Sequence, residues 1–522
     1  MRIPHRIVLN TITTWTALAV NVIVSFILVP FLLYHIGIEG YGLIALTWAL
    51  ISFSIFADFG ISTSLSRNLS EQIARKNTSR FNELLSSGFL IYLIIGSTLA
   101  LTVIFFATSL SDMFKVSIAR KYQAVFLIQY FAGPVIFISF INSIFGSILS
   151  SNNRFDLINA INTGTSIFRG LGILLVLSFT DTDLYGWIFV SLASKLIFLI
   201  SLYVAARRVW PGFHIHIRYV KIDVLKNLFS TGRYIFLQQI SSIFRFKINP
   251  IILSVFLGPA AAALYKPAEN ISTTTMPLVS TLAAQLFPLA TGYHVTGNTE
   301  KMKAILLRGT KYIFLLAIPI CVMLIVYSKP IIKIWLGRSI EQHYLITASV
   351  LFFMAITDMF YYAGGTQGIV LLGMNRLKFV SIMSMIFTIL NFGAVIFLVG
   401  YTSIGIIGVI IPAVFTDAVF RIIITIHVAR QCHLSMKQYL IESYLRPFIV
   451  FFILCAAAVI LRMVVVPEKL LSLILCALCI ALIWIILSWT IGFDCYDKKE
   501  LIDLSASTWK KTVKRSSVES NS

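Results

Sequence analysis

Apolar residues along this chain come in long unbroken blocks. They do not follow the two-residue alternation of a half-buried strand or the stripe of a surface helix. About fourteen blocks reach the ~20 residues needed to cross a hydrocarbon core of ~30 Å. They cover residues 9–33, 43–66, 86–108, 122–148, 157–179, 185–206, 234–257, 262–289, 305–326, 344–372, 379–399, 404–429, 445–466 and 470–492. The pattern predicts an all-α polytopic membrane protein and excludes the alternating segments of an outer-membrane barrel. No small-residue cleavage site follows the first block, so it reads as a first transmembrane helix rather than a signal peptide.

The polar segments between blocks alternate in charge. Arg67, Arg75, Lys76 and Arg80 lie on one side, with Arg207, Arg208, Arg218, Lys221, Lys226, Lys301, Lys303 and Arg308, and the opposite connections are short and poor in cations. The positive-inside rule makes the basic side cytosolic, and an even span count puts both termini there. The 207–233 connection divides the chain near its middle. Within it Tyr219, Ile222, Leu225 and Phe229 recur at helical spacing between cations, which suits either a helix on an anionic leaflet or a hinge.

Composition sharpens the class. The chain of 522 residues is 58% hydrophobic and 12% charged. Soluble domains average roughly 25% charged residues. The formal charge of +21 belongs to the cytosolic loops, so no nucleic-acid partner is expected. Six cysteines make no disulfide framework, and Cys476 and Cys479 form a CxxC inside an apolar block, where packing explains them better than redox or zinc chemistry. GxSxG, HExxH and Walker A sequences are absent, so no enzyme is expected. His214 and His216 lack further ligands at zinc spacing, so neither a metal nor a resident cofactor is expected.

An internal repeat runs through the first twelve blocks. An offset of 221 or 222 positions places Gly37 on Gly258, Phe114-Lys115 near Trp335, Asn153-Arg154-Phe155 on Asn375-Arg376-Leu377 and Gly186 on Gly408. The offset spans an even number of helices, so the repeats are parallel, related by an axis along the membrane normal. The expected layout is an N-terminal six-helix lobe (1–210), a cytosolic connector (211–233), a C-terminal six-helix lobe (234–432), two further helices (433–492) and a basic cytosolic tail (493–522).

Charges at membrane depth carry the candidate chemistry, because a charge in hydrocarbon is costly and faces a bundle interior or a wet cavity. Arg169, Lys195, Arg245, Lys247 and Lys266 are the candidate cations of such a cavity. Arg245 and Lys247 are two apart and point to different faces of a regular helix. Asp58, Glu269 and Asp358 are candidates for H⁺ or Na⁺ coupling. Asp58 and Asp358 could equally cap a broken helix or pair with a buried cation, and Lys266 and Glu269, three apart, can pair on one face.

The segments VPFLLYHIGIEGYGLIALTWALISFSIFADFGISTSLSR from Val29 and FLGPAAAALYKPAENI from Phe256 resemble paired signatures of Wzx-type polysaccharide flippases. LFPLATGY from Leu286, KPIIKIWLG ending at Gly337 and LLGMNRLKF from Leu371 are similar too. These flippases belong to the multidrug/oligosaccharidyl-lipid/polysaccharide exporter superfamily. The resemblance covers about the first 430 residues. It implies a MATE-like, two-lobed inverted-V bundle with a cavity lined mainly by spans one, two, seven and eight. Many relatives carry Asp late in the seventh span, where this chain has Asn249. The implied activity is translocation of an undecaprenyl-diphosphate-linked oligosaccharide, an O-antigen or other surface-polysaccharide repeat unit, to the outer leaflet of the inner membrane by alternating access. Membrane lipids and other polysaccharide-assembly proteins are the implied partners. A cation-coupled multidrug exporter and a peptidoglycan-precursor flippase are the alternatives within the superfamily. A membrane-embedded glycosyltransferase or polysaccharide polymerase is the alternative outside it, and the short external loops speak against that class.

Overall fold

The computed structural model describes residues 5–226, 228, 247–374 and 376–499. Among these residues there is no strand, and eleven helices are long and apolar enough to cross a membrane. The blocks at 157–179 and 470–492 reappear as Phe155–Phe179 and Leu470–Gly492. The first two blocks differ from expectation. They form one helical run, His5–Phe53, broken only at Gly37, and the second ends in a 3-10 turn, Ser54–Asp58, with Phe59 and Gly60 left-handed before Ile61–Ala74 begins. Of the seventh block only Asn249–Leu257 is a described helix, so Arg245 lies outside the described residues.

The repeat expected from spacing is written into the backbone. Gly37 has φ 79, ψ 173, and Gly258 has φ 86, ψ 170, a conformation closed to residues with a Cβ. Lys76 and Gly297 both have positive φ, and the residues after them, Asn77 and Asn298, are N-caps whose side chains accept from Arg80 N and Lys301 N. Arg154 N donates to Leu149 O, and Arg376 N donates to Leu371 O, each at 2.9 Å. Asp183 and Gly405 share positive φ as well.

Two of the prolines inside long helices, Pro30 and Pro319, each leave the carbonyl four residues earlier without its helical donor. Pro30 frees the Phe26 carbonyl, which accepts from Trp335 Nε1 at 2.8 Å. Pro319 frees the Leu315 carbonyl, which accepts from Trp484 Nε1 at 2.9 Å. An unpaired carbonyl in hydrocarbon costs several kcal/mol, so each indole both repairs a helix and fixes a neighbour to it.

The chain divides into two compact units. The first comprises residues 1–270, 335–350 and 381–412. On the side that loop charge assigns to the exterior, this unit ties the two repeats together. Lys115 Nζ donates to Phe256 O at 2.9 Å, Ser339 Oγ donates to Pro30 O at 3.2 Å, and Trp335 stacks on Phe26 with centroids 5.3 Å apart. A Cβ on Gly42 would stand 2.0 Å from the Pro259 carbonyl oxygen. Only glycine permits so close an approach of backbone to backbone. The connector docks on the same unit, with His214 N on Asn82 Oδ1, His216 N on Ser86 Oγ and Lys221 N on Ser87 Oγ. Its buried residues, among those described, are Phe213, Val224 and Leu228. Ile222 and Tyr219 of the expected apolar stripe are exposed, Leu225 is half-buried, and Phe229 lies outside the described residues.

The second unit comprises residues 271–334, 351–380 and 413–522. Val279, Ile313, Ala317, Cys321 and Tyr362 form a core cluster in it. Gln367 Nε2 donates to Thr425 Oγ1 at 2.6 Å and to Tyr444 OH at 3.0 Å, and Tyr444 OH donates to the Ala363 carbonyl at the end of the helix Tyr344–Ala363. Arg462 donates to the Val326 carbonyl at the C-terminus of Thr299–Val326, the favourable place for a cation. Beyond the last span, Asp494 and Asp497 cap one another and both bind the buried Lys311.

Candidate functional site

A cavity of about 320 Å³ lies within the first unit, among the helices His5–Phe53, Phe155–Phe179, Asp183–Val209 and Pro259–Val295. Asn21, Tyr41, Trp48, Arg169, Lys266 and Asn270 are among its lining residues. Small residues let the first and fifth spans meet closely. A Cβ on Gly170 would touch Val24 Cγ1 at 3.0 Å. Along that seam runs a ladder of polar side chains. Asn10 Oδ1 accepts from Asp156 N at 2.9 Å, Asn159 Nδ2 donates to Thr14 Oγ1 at 2.8 Å, and Ser166 Oγ donates to Asn21 Oδ1 at 2.6 Å. The ladder leads to Arg169, one residue before Gly170.

Of the expected cavity cations, the structure brings Arg169 and Lys195 to one place. The Arg169 guanidinium lies 5.9 Å and the Lys195 ammonium 5.1 Å from the centroid of Trp48. Both side chains are half-buried, and among the described residues neither has a carboxylate partner; the charged neighbour of Lys195 is Arg169. Trp48 is held by edge-to-face contact with Phe131, which in turn contacts Trp187. Lys266 lines the same cavity but is neutralised: its Nζ donates to Glu269 Oε2 at 2.6 Å. Lys247 stands 3.9 Å from Glu269 Oε1. Glu269 is buried, and Tyr41, near it, hydrogen bonds Asn270. Asn249 Nδ2 donates to Tyr265 OH at 2.8 Å.

The other two candidate carboxylates lie elsewhere. Asp58 sits at the break in the second span. Its Oδ1 accepts from Ser62 N at 3.2 Å, its Oδ2 from Ser62 Oγ at 3.1 Å, and Tyr92 OH donates to it as well. It therefore caps the helix Ile61–Ala74, the structural role open to an Asp beside a break. Asp358 belongs to the second unit, is buried and accepts from Ser272 Oγ at 2.6 Å. Trp48, Asn21 and Tyr41 were not singled out from sequence. The polar ladder had a signal there, since Asn10, Thr14, Asn21 and Ser25 fall on one helical face of an otherwise apolar span. A tryptophan in a hydrophobic block carries no such signal.

A family model described as polysaccharide biosynthesis protein matches residues 36–344. The chain belongs to that family. It is 23% identical over 337 residues to the uncharacterized membrane protein EpsK of Bacillus subtilis (strain 168), covering 63% of this chain and 65% of EpsK. It is 20% identical over 338 residues to a putative O-antigen transporter of Shigella flexneri, covering 64% of this chain and 78% of that protein. The fold is shared with the lipid II flippase MurJ in an inward closed conformation, at TM-score 0.69, 19% identity and coverage of 92% of this chain and 98% of that one. It is also shared with an inward-facing multidrug resistance MATE family transporter of the MOP superfamily, at TM-score 0.64, 14% identity and coverage of 78% and 94%. The chain is thus a multi-pass membrane protein of a polysaccharide-biosynthesis family on a MATE- and MurJ-like fold, as its sequence signatures imply.

Proposed function

We propose that this chain is a flippase for a lipid-linked oligosaccharide, carrying a polyprenyl-diphosphate-bound surface-polysaccharide unit from the cytosolic to the outer leaflet by alternating access. The observation that carries this reading is a cation-bearing cavity among transmembrane helices in a chain of this family. A diphosphate and a glycan cannot cross hydrocarbon unaided, and such a cavity replaces their hydration with charge-assisted hydrogen bonds. An organic cation would be repelled by Arg169 and Lys195, which disfavours drug export. For H⁺ or Na⁺ coupling the candidates are Asp58, Glu269 and Asp358, and each carboxylate already has partners: Asp58 accepts from Ser62 and Tyr92, Glu269 from Lys266, and Asp358 from Ser272. Transport rather than catalysis is the activity proposed.

In a strain lacking this chain, lipid-linked oligosaccharide should accumulate and surface polysaccharide should fall, with both reversed by the wild-type gene. An unchanged lipid-linked pool and surface coat would refute the reading. The proposed inner-membrane orientation, with both termini cytosolic, is tested by cysteine labelling. Asn82 is buried against the connector and makes a poor probe. Arg75, with its side chain 70% exposed, and Ile118, 94% exposed, are better ones. Arg75→Cys should react only after the membrane is opened and Ile118→Cys in intact cells.

A further inference from the structure

Among the described residues, the cations of the first unit's membrane region are of two kinds. Lys266 and Lys247 converge on Glu269, at 2.6 and 3.9 Å, so that end of the cavity carries a carboxylate. Arg169 and Lys195 converge on a ring instead. Two like charges beside one indole, without a carboxylate, repel each other in a low-dielectric setting. The Trp48 face offsets part of that cost, since its quadrupole attracts both cations, but it supplies no net charge. An anion placed between the two turns their repulsion into two attractions. The cavity reaches Arg169 and Trp48 directly, which gives such an anion access.

We infer that Arg169 and Lys195, set by Trp48, are the seat of a phosphate-class anion, the diphosphate of the lipid-linked substrate, and that the Lys247–Lys266–Glu269 cluster is not. The assignment rests on the flippase reading above and deepens it. Arg169 presents a planar fork that can engage one phosphate bidentately, and Lys195 supplies a point charge for the other. Trp48 touches the cations rather than the anion's chemistry and is a positioning residue. The seat therefore lies on spans five and six with a ring from the second span, whereas the resemblance implied a cavity lined mainly by spans one, two, seven and eight.

The test uses the full chain in nanodiscs and a water-soluble isoprenyl diphosphate as probe, with inorganic pyrophosphate and phosphatidylglycerol as separate arms. Arg169→Met/Lys195→Met should weaken isoprenyl diphosphate binding by at least about tenfold, as expected for loss of charge-assisted contacts. Arg169→Lys should fall between the double variant and wild type. Trp48→Phe should bind nearly as wild type and Trp48→Ala should not; since the alanine also leaves a cavity beside Phe131, a retained cooperative thermal transition of Trp48→Ala is the readout that separates lost positioning from lost fold. Glu269→Gln should leave binding intact or tighten it by releasing Lys266. Wild-type-like binding by the double variant overturns the seat, as does equal competition by phosphatidylglycerol, which would make it a bulk-lipid headgroup site. Binding of pyrophosphate alone with the same loss in the double variant supports the anion seat without the lipid tail. Export separates the two readings. If the wild-type gene restores surface polysaccharide and the double variant does so equally, the seat fails and the flippase reading stands. If the wild-type gene has no effect on the lipid-linked pool, the flippase reading fails, and the binding arms still decide the seat.

Discussion

The indole Nε1 of Trp335 donates at 2.8 Å to the carbonyl of Phe26, the acceptor that Pro30 deprives of its helical partner. Trp484 does the same for Leu315, freed by Pro319. If the indole is retained because of the proline, the two effects are coupled. Trp335→Phe keeps a ring on Phe26 but removes the donor, and should cost about 1–3 kcal/mol, the usual range for stranding a buried polar group. In a Pro30→Ala background the residue 30 N–H can satisfy Phe26, and the same Trp335→Phe change should cost close to nothing. Thermal unfolding in detergent of the four proteins of the cycle measures the coupling. Equal losses in both backgrounds would detach the tryptophan from the proline.

Gly37 and Gly258 hold equivalent elbows at φ 79 and φ 86 with extended ψ. Nothing lies within 4 Å of a Cβ built at Gly37, so Gly37→Ala tests backbone strain without a clash. Both Gly37→Ala and Gly258→Ala should destabilise by about 1–3 kcal/mol. Gly146 stands in open space within a helix of ordinary φ. Gly146→Ala should be neutral or stabilising by a few tenths to about 1 kcal/mol. A neutral Gly37→Ala in the same thermal assay would show that the elbow relaxes.

Lys311, 4% exposed, binds Asp497, 1% exposed, whose other oxygen accepts from Tyr312 OH at 2.5 Å. Removing one partner of a buried pair leaves the other charge stranded. Lys311→Met should therefore cost about 3–5 kcal/mol, and Lys311→Met/Asp497→Leu should recover much of that. A double variant no more stable than Lys311→Met would mean that the pair does more than neutralise itself.

The same latch makes the segment after the last span acid-sensitive. Burial alone would raise the Asp494 carboxyl. The Asp497 backbone N–H and the Lys311 ammonium outweigh it and hold the group down, at about 2. A depressed carboxylate stabilises fully above its ordinary value of about 3.9 and loses that contribution as pH falls toward the depressed one. Hydrogen-exchange protection of the amides at 494–499 should thus hold from pH 7 to about 4 and decline below it. Lys311→Met should show low protection throughout. Protection that instead falls between pH 7 and 5 would point to a different titrating group.

Much of this protein was legible as a string because a bilayer imposes a one-dimensional rule. Every span must be about 20 apolar residues long and must satisfy its own backbone, so length and hydropathy alone locate most helices. The repeat was legible for a related reason: Gly37 and Gly258 fill a backbone conformation that other residues avoid, and so stand out at a fixed offset. The sequence also nominated Arg169, Lys195 and Lys266, since any charge at that depth needs a reason. Sequence could not sort them. Whether a cation is neutralised or left to a ligand depends on what faces it from other helices: Lys266 meets Glu269 one turn away, whereas Arg169 and Lys195, on different spans, meet only over Trp48. Nor could it pair Trp335 with Phe26, some three hundred positions apart, or Lys311 with Asp497, because these contacts rest on helix packing rather than on any local pattern. Span, depth and repeat were set by the solvent acting on the chain in order; partners and charge balance were decided only when the helices came together.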